Sequence, residues 1–213
     1  MEILKNFAVF EGIDGSGTTT QLNMLQHTML ENYFPENRQT LPPFYKTNEP
    51  TNGSIGELIR LSLRKETVFK PETVALLFAA DRNEHIYGSG GIIERCKRGE
   101  LVVSDRYLLS SLVYQGITCG EELPALLNSG FPRPELLIFL DIDPEIAQNR
   151  IAGRDQKEIY EYMEFQIQAR GRYMTLLPKL SAEGVRVETI DASLPAEEVA
   201  REVWGAIKKM PIF

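Results

Sequence analysis

The clearest pattern along the chain is an alternation of short apolar runs with longer segments of helical periodicity. Strand-like apolar runs cover residues 6–11, 101–104, 136–141 and 185–190, with a weaker one at 44–48. Apolar residues recur at helical spacing over residues 19–33, 71–87, 92–98, 145–152, 160–180 and 196–208. Strands that alternate with helices predict an α/β fold, a doubly wound parallel sheet flanked by helices. Ligands of such sheets bind beyond the carboxyl ends of the strands.

The composition indicates one domain over residues 1–213, with 43% hydrophobic and 25% charged residues. Cys96 and Cys119 are too few for a disulfide framework, so we expect reduced thiols and a cytoplasmic location. We expect no membrane partner, because no run approaches about 18 apolar residues and the N-terminus does not resemble a signal peptide. A formal net charge of -7 argues against binding a nucleic-acid backbone. An anionic ligand must therefore meet local positive groups.

A glycine-rich turn follows the first predicted strand. Residues 12–19 read Gly-Ile-Asp-Gly-Ser-Gly-Thr-Thr, which has the spacing of a P-loop between a strand and a helix. Such a loop binds phosphate through backbone N–H groups and the helix N-terminus. An ordinary strand-to-helix turn is the alternative. Thr18 occupies the position of the P-loop lysine, while Thr19 keeps the hydroxyl that binds Mg²⁺.

Several further motifs occur in a fixed order along nearly the whole chain. They are Phe10-Glu11-Gly12-Ile13-Asp14-Gly15, Leu77-Phe78-Ala79-Ala80-Asp81-Arg82, Ser104-Asp105-Arg106-Tyr107, Tyr114-Gln115-Gly116, Arg133-Pro134-Glu135-Leu136, Leu140-Asp141 and Ile190-Asp191-Ala192. Together they resemble the thymidylate kinases. The resemblance implies a three-layer P-loop NTPase fold with a mobile lid at about 150–160. It also implies transfer of the γ-phosphoryl group of ATP to dTMP, with Mg²⁺ as cofactor and a homodimer as the assembly.

The motifs imply a set of functional residues. The ATP-binding residues are Gly12, Asp14, Gly15, Ser16, Gly17, Thr18, Thr19 and Thr20. The dTMP-binding residues are Asp14, Glu49, Phe78, Arg82, Arg106, Ser110, Tyr114 and Gln115. The catalytic residues are Asp14, Arg106, Arg150 and Arg154, and the metal ligands are Thr19 and Asp105. Each also has a structural interpretation, such as turn capping for Asp105 and core packing for Phe78.

Individual roles follow from side-chain chemistry. We expect Arg106 to hold the acceptor phosphate, because a guanidinium pairs with phosphate oxygens. Phe78 and Arg82 share one helix face, so a base can stack on the ring while the guanidinium reaches its edge. Glu49 is expected to orient an arginine or the sugar, and Glu11 is a candidate for the metal's outer coordination shell.

Two departures from the family pattern remove positive charge, because Thr18 and Asn48 stand where lysine and arginine are expected. Losing one well-placed donor to a transition state typically costs about 3–4 kcal/mol unless another cation replaces it. The candidate replacements are Arg64, Arg150, Arg154 and Lys157. Two alternatives stay open, a kinase for another nucleotide or nucleoside and a non-catalytic nucleotide-binding module.

Overall fold

The computed structural model describes residues 2–33, 41–153 and 159–213, apart from the side chains of residues 31–33. The strands are β1 (Ile3–Gly12), β2 (Phe44–Asn48), β3 (Leu101–Asp105), β4 (Arg133–Asp141) and β5 (Arg186–Asp191). The helices are α1 (Thr18–Tyr33), α2 (Ser54–Leu63), α3 (Pro71–Tyr87), α4 (Ile92–Lys97), α5 (Leu108–Cys119), α6 (Glu122–Asn128), α7 (Pro144–Ile151), α8 (Met163–Ala182) and α9 (Ala196–Ile207). Within these residues, no helix combines the length and apolar character needed to cross a bilayer.

The strands form one parallel sheet in the order β2-β3-β1-β4-β5. Parallel neighbours need a crossover between them, and the helices supply these crossovers. The central strand β1 pairs with β3 and β4, which brings the carboxyl ends of all three strands to one edge. The predicted α/β class and parallel sheet are confirmed.

Both faces of β1 are buried. Ala8 and Phe10 belong to a large apolar cluster that includes Leu22 of α1. Phe7 and Val9 point the other way, into a second cluster that includes Ile86 of α3. Helices on both faces explain why this strand reads as a continuous apolar run. They also hold its carboxyl end rigidly in place.

The sequence predicts most element boundaries within a few residues. β2 and α3 have the predicted bounds, whereas β1 begins at Ile3 and α8 begins at Met163. The helices α2, α5 and α6 lie outside the stretches of helical spacing given above. The predicted lid includes residues 154–158, which lie outside the described residues, so the lid and the extent of the domain stay predictions.

Candidate active site

The phosphate loop leaves the central strand and enters α1 within a few residues. β1 ends at Gly12, and α1 begins at Thr18. Gly15 and Gly17 have φ values of +87° and +95°, which residues with a Cβ rarely adopt. The N–H of Ser16 donates to the Ile13 carbonyl oxygen at 3.1 Å. A turn of this kind at a helix N-terminus suits a bound phosphate.

The loop packs directly on α7 at Gly15. An ideal Cβ at Gly15 would lie 2.3 Å from the carbonyl oxygen of Ala147. Position 15 therefore has no room for a basic side chain. Arg150, near the end of α7, lines the cleft beside the loop, so positive charge can enter from this helix. Arg154 and Lys157 lie outside the described residues.

Thr19 and Asp105 bring two side-chain oxygens together at the start of α1. The Thr19 hydroxyl donates to Asp105 Oδ2 at 2.5 Å. Asp105 Oδ1 is buried and has no hydrogen-bond partner within the described residues. Among those residues, no group of three or more His, Cys, Asp or Glu side chains is arranged to hold a metal. The unpaired carboxylate oxygen of Asp105 beside the Thr19 hydroxyl fits Mg²⁺, which usually keeps waters and substrate phosphates as its other ligands.

A cleft of about 1070 Å³ opens over the phosphate loop. It is lined by seven of the residues predicted to bind ATP, namely Asp14, Gly15, Ser16, Gly17, Thr18, Thr19 and Thr20. The eighth, Gly12, ends the strand beneath the loop. In the described part of the chain, the basic residues that line this cleft are Lys46, Arg60, Arg106 and Arg150. The cleft thus combines a phosphate loop with local positive charge.

A smaller cavity of about 160 Å³ adjoins this cleft. All the residues predicted to bind the acceptor line it, namely Asp14, Glu49, Phe78, Arg82, Arg106, Ser110, Tyr114 and Gln115. The residues common to both cavities are Asp14, Glu49, Pro50, Arg60 and Arg106. Two ligands bound in the two cavities would therefore meet beside the same carboxylate and guanidinium groups.

An ion pair between Arg106 and Asp14 marks this junction. Arg106 Nη2 donates to Asp14 Oδ1 at 2.5 Å, and Nη1 donates to the Gly12 carbonyl oxygen at 2.9 Å. Gln166 of α8 holds the same carboxylate by donating to Asp14 Oδ2 at 2.9 Å. Arg106 has a φ of +69°, which costs a non-glycine residue about 1–3 kcal/mol. A hydrogen bond of 2.8 Å from its N–H to the Phe10 carbonyl ties this backbone to β1.

Glu49 and Arg82 form a buried ion pair in the wall of the smaller cavity. Arg82 Nη2 and Nε donate to Glu49 Oε2 at 2.6 and 2.9 Å. Asn128 accepts from Nη1, and Ser111 accepts from Nη2 at 3.1 Å. These contacts support one of the two roles expected for Glu49, which is to orient an arginine. They engage four of the five guanidinium N–H groups, so at most one is left for the predicted contact with a base.

Aromatic rings and one unpaired amide oxygen also line the smaller cavity. Gln115 is 1% exposed, and its Oε1 has no hydrogen-bond partner within the described residues. Tyr114 accepts a hydrogen bond of 3.3 Å from Arg106 and packs edge-on against Tyr160, with ring centroids 5.3 Å apart. The half-buried ring of Phe78 lines the same space. An apolar slot with a buried acceptor suits a flat heterocycle that carries an N–H group.

The structure does not support a place for Glu11 in the metal's outer shell. Its carboxylate is fully buried and accepts from the Tyr107 N–H at 3.0 Å, the Ser110 hydroxyl at 2.6 Å and the Tyr173 hydroxyl at 2.9 Å. Desolvation raises the pKa of Glu11 to about 7, although the Ser110 hydrogen bond and the Arg106 charge act in the opposite direction. Glu11 therefore fixes the first turn of α5, which carries Ser110.

Sequence reasoning missed three residues at the site and misplaced one. Arg60 of α2 lines both cavities, Gln166 holds Asp14, and Lys46 lines the larger cleft. Arg64, a candidate replacement for the missing lysine, instead pairs with two glutamates at 2.6 and 3.2 Å and does not line either cavity. None of the three missed residues lies in a motif, because each reaches the site from an element that is distant along the chain.

One cavity suits the phosphate chain of a nucleotide, and the adjoining cavity suits a second nucleotide. The fold and the site thus define a P-loop kinase that acts on nucleotides. The sequence model of the family described as thymidylate kinase matches residues 10–203.

Curated relatives agree with this match over nearly the full length. A Treponema pallidum protein is 42% identical over 98% of both chains. A Pyrobaculum aerophilum protein is 40% identical over 97% of this chain and 98% of its own. A Methanocaldococcus jannaschii protein is 34% identical over 96% and 97% of the respective chains. All three carry the name thymidylate kinase as a provisional assignment.

The chain belongs to the thymidylate kinase family. It is a nucleoside monophosphate kinase, a phosphotransferase that uses ATP to phosphorylate dTMP. The family therefore favours dTMP over the other acceptors considered from the sequence, and an enzyme over a non-catalytic module.

Proposed function

We propose that the γ-phosphoryl group passes from ATP to dTMP beside the Asp14–Arg106 pair. The observation that carries this proposal is that both cavities share these two residues. A phosphate oxygen of dTMP attacks the γ-phosphorus, and the bond from that phosphorus to the β,γ-bridging oxygen breaks. The electron pair of this bond leaves on ADP, and dTDP forms. Because the attacking oxygen is already anionic, positioning and charge stabilisation matter more than a strong base.

The donor side uses the phosphate loop, the metal pair and α7. Residues 12–20 bind the phosphate chain of ATP through backbone N–H groups. Thr19 and Asp105 would hold Mg²⁺, which neutralises charge on the β- and γ-phosphate oxygens when bound. Arg150 supplies positive charge from the end of α7, and Arg154 is proposed for the same task on the strength of the family pattern.

The acceptor side uses one arginine for the phosphate and the aromatic slot for the base. Arg106 pairs with the dTMP phosphate, and Asp14 accepts a hydrogen bond from the 3′-hydroxyl of the sugar. Phe78 stacks on the thymine ring, while the unpaired Gln115 Oε1 accepts from its N–H. Tyr114 and Ser110 close the pocket around the sugar.

We also propose a homodimer and a cytoplasmic location. Leu76 of α3 and Leu126 of α6 are 51% and 71% exposed on helices that pack against each other. Covering these side chains with a second copy would remove apolar surface from water. Light scattering should give twice the chain mass of 24.1 kDa, and a value near one chain mass would contradict the dimer. The location rests on the free cysteines Cys96 and Cys119.

The substitution Gln115→Leu tests the acceptor pocket. Losing a hydrogen bond of about 1–2 kcal/mol should raise the KM for dTMP about 10-fold, while the KM for ATP stays unchanged. Gln168→Leu, at an exposed position on α8, is the matched control. An equal rise in both KM values, or no change in either, would contradict the assignment of the smaller cavity to dTMP.

A further inference from the structure

The phosphate loop lacks the positive charge that a lysine at position 18 would bring, since the residue there is Thr18. Of the described basic residues that line the larger cleft, two already have strong partners on the acceptor side. Arg106 pairs with Asp14 at 2.5 Å, and Arg60 donates to the carbonyl oxygens of Thr51 and Pro50 at 2.5 Å each. The other described basic residues of this cleft are Arg150, which is already proposed for the donor side, and Lys46.

Lys46 lines the larger cleft and does not line the smaller cavity. It pairs in register with Val103 of β3, two residues before Asn48 pairs with Asp105. Because side chains alternate along a strand, Lys46 shares its face with Asn48 and Asp105. Thr47 points to the opposite face, where its hydroxyl contacts His85 at 2.6 Å.

The Lys46 ammonium has a neutral partner. Its Nζ donates to Asn23 Oδ1 at 2.8 Å, and no carboxylate lies within ion-pair distance of Nζ in the described part of the chain. Asn23 follows the metal-binding Thr19 by one helical turn on the same face of α1. Among the described residues, no acidic side chain therefore offsets this charge, which lies near the start of α1, where the phosphates of ATP would bind.

We propose that Lys46 supplies the positive charge that the phosphate loop lacks. When ATP binds, the ammonium leaves Asn23 and contacts a phosphate oxygen. A lysine suits this movement, because its charge is compact and its stem of four carbons is flexible. The proposal rests on the phosphoryl transfer proposed above and adds a catalytic residue to it.

The test combines Lys46→Met with Thr18→Lys. Removing one cation that stabilises the transition state should lower kcat about 100-fold, with the KM for dTMP unchanged. Lys46→Arg should keep most of the activity because it keeps the charge. Lys179→Met, which removes an exposed lysine near the end of α8, should match the wild type. The melting temperature of each variant checks that it folds.

Restoring the loop lysine gives a result that a merely structural role would not produce. When Thr18→Lys is added to Lys46→Met, kcat should rise at least 10-fold. When it is added to Arg106→Gln, kcat should not rise. A Lys46→Met variant with wild-type kcat, or one that Thr18→Lys does not rescue, would overturn the proposal. A wild-type protein that binds both nucleotides without turnover would instead overturn the proposed phosphoryl transfer.

Discussion

The buried carboxyl group of Glu11 gives a sharp prediction about stability and pH. Burial raises the pKa of Glu11 from 4.5 to about 7 in the folded protein. Between pH 4.5 and about pH 7, the Glu11 carboxyl group is mostly deprotonated in the unfolded chain but mostly protonated in the folded protein. Unfolding therefore releases a proton, and the free energy of unfolding falls as the pH rises. The free energy of unfolding falls by about 1.4 kcal/mol for each pH unit, so the total decrease reaches about 3 kcal/mol by pH 7 and then levels off.

The substitution Glu11→Gln removes this titration while keeping a side chain of the same shape. Its amide can still accept from the Tyr107 N–H, and it can donate to the Ser110 and Tyr173 hydroxyls, which lie 2.6 and 2.9 Å from Glu11 Oε2. The free energy of unfolding of the variant minus that of the wild type should therefore rise by about 3 kcal/mol between pH 4.5 and pH 8.

Urea unfolding followed by circular dichroism at several pH values measures this difference. Glu202→Gln, at an exposed position in α9, should show a difference from the wild type that does not vary with pH. If the difference between Glu11→Gln and the wild type is also constant across this range, the burial argument for Glu11 is wrong.

Two further predictions concern the loop and the metal pair. Gly15→Ala should destabilise the protein by about 3 kcal/mol, because φ is +87° and the new Cβ would lie 2.3 Å from the Ala147 carbonyl oxygen. The control is Gly205→Ala, whose new Cβ has no atom within 4 Å, and it should stabilise α9 by about 0.5–1 kcal/mol. Equal melting temperatures for the two variants would contradict the packing of the phosphate loop on α7. Asp105→Asn should raise the Mg²⁺ concentration for half-maximal activity at least 10-fold, and an unchanged requirement would remove Asp105 from the metal site.

The parts of the fold and site that the sequence predicts are those with local signatures. The phosphate loop can be predicted from the sequence because a turn with φ values of +87° and +95° favours glycines at positions 15 and 17. The position of Asp105 can be predicted because this charged residue ends a strand-like apolar run. The same logic identifies the parallel sheet, since strands buried on both faces lose their alternating pattern.

The remaining parts depend on contacts between distant segments. Gln166 holds Asp14 across 152 residues of sequence, and nothing in the local sequence distinguishes a glutamine that holds a distant carboxylate from one that is exposed to solvent. Arg60 resembles any polar residue on an amphipathic helix, yet it lines both cavities. Glu11 follows an apolar strand as Asp105 does, but the sequence alone does not show that its partners lie on α5 and α8.

The most direct test of the central claim is turnover by the purified wild-type protein. ADP formation would be recorded with ATP and Mg²⁺ in the presence of dTMP, dUMP, CMP, UMP or AMP, beside calorimetric binding of the same nucleotides. We expect selective turnover of dTMP despite Thr18 in the phosphate loop. Binding of ATP and dTMP without ADP formation would contradict it, and would mean that no cation replaces the missing lysine.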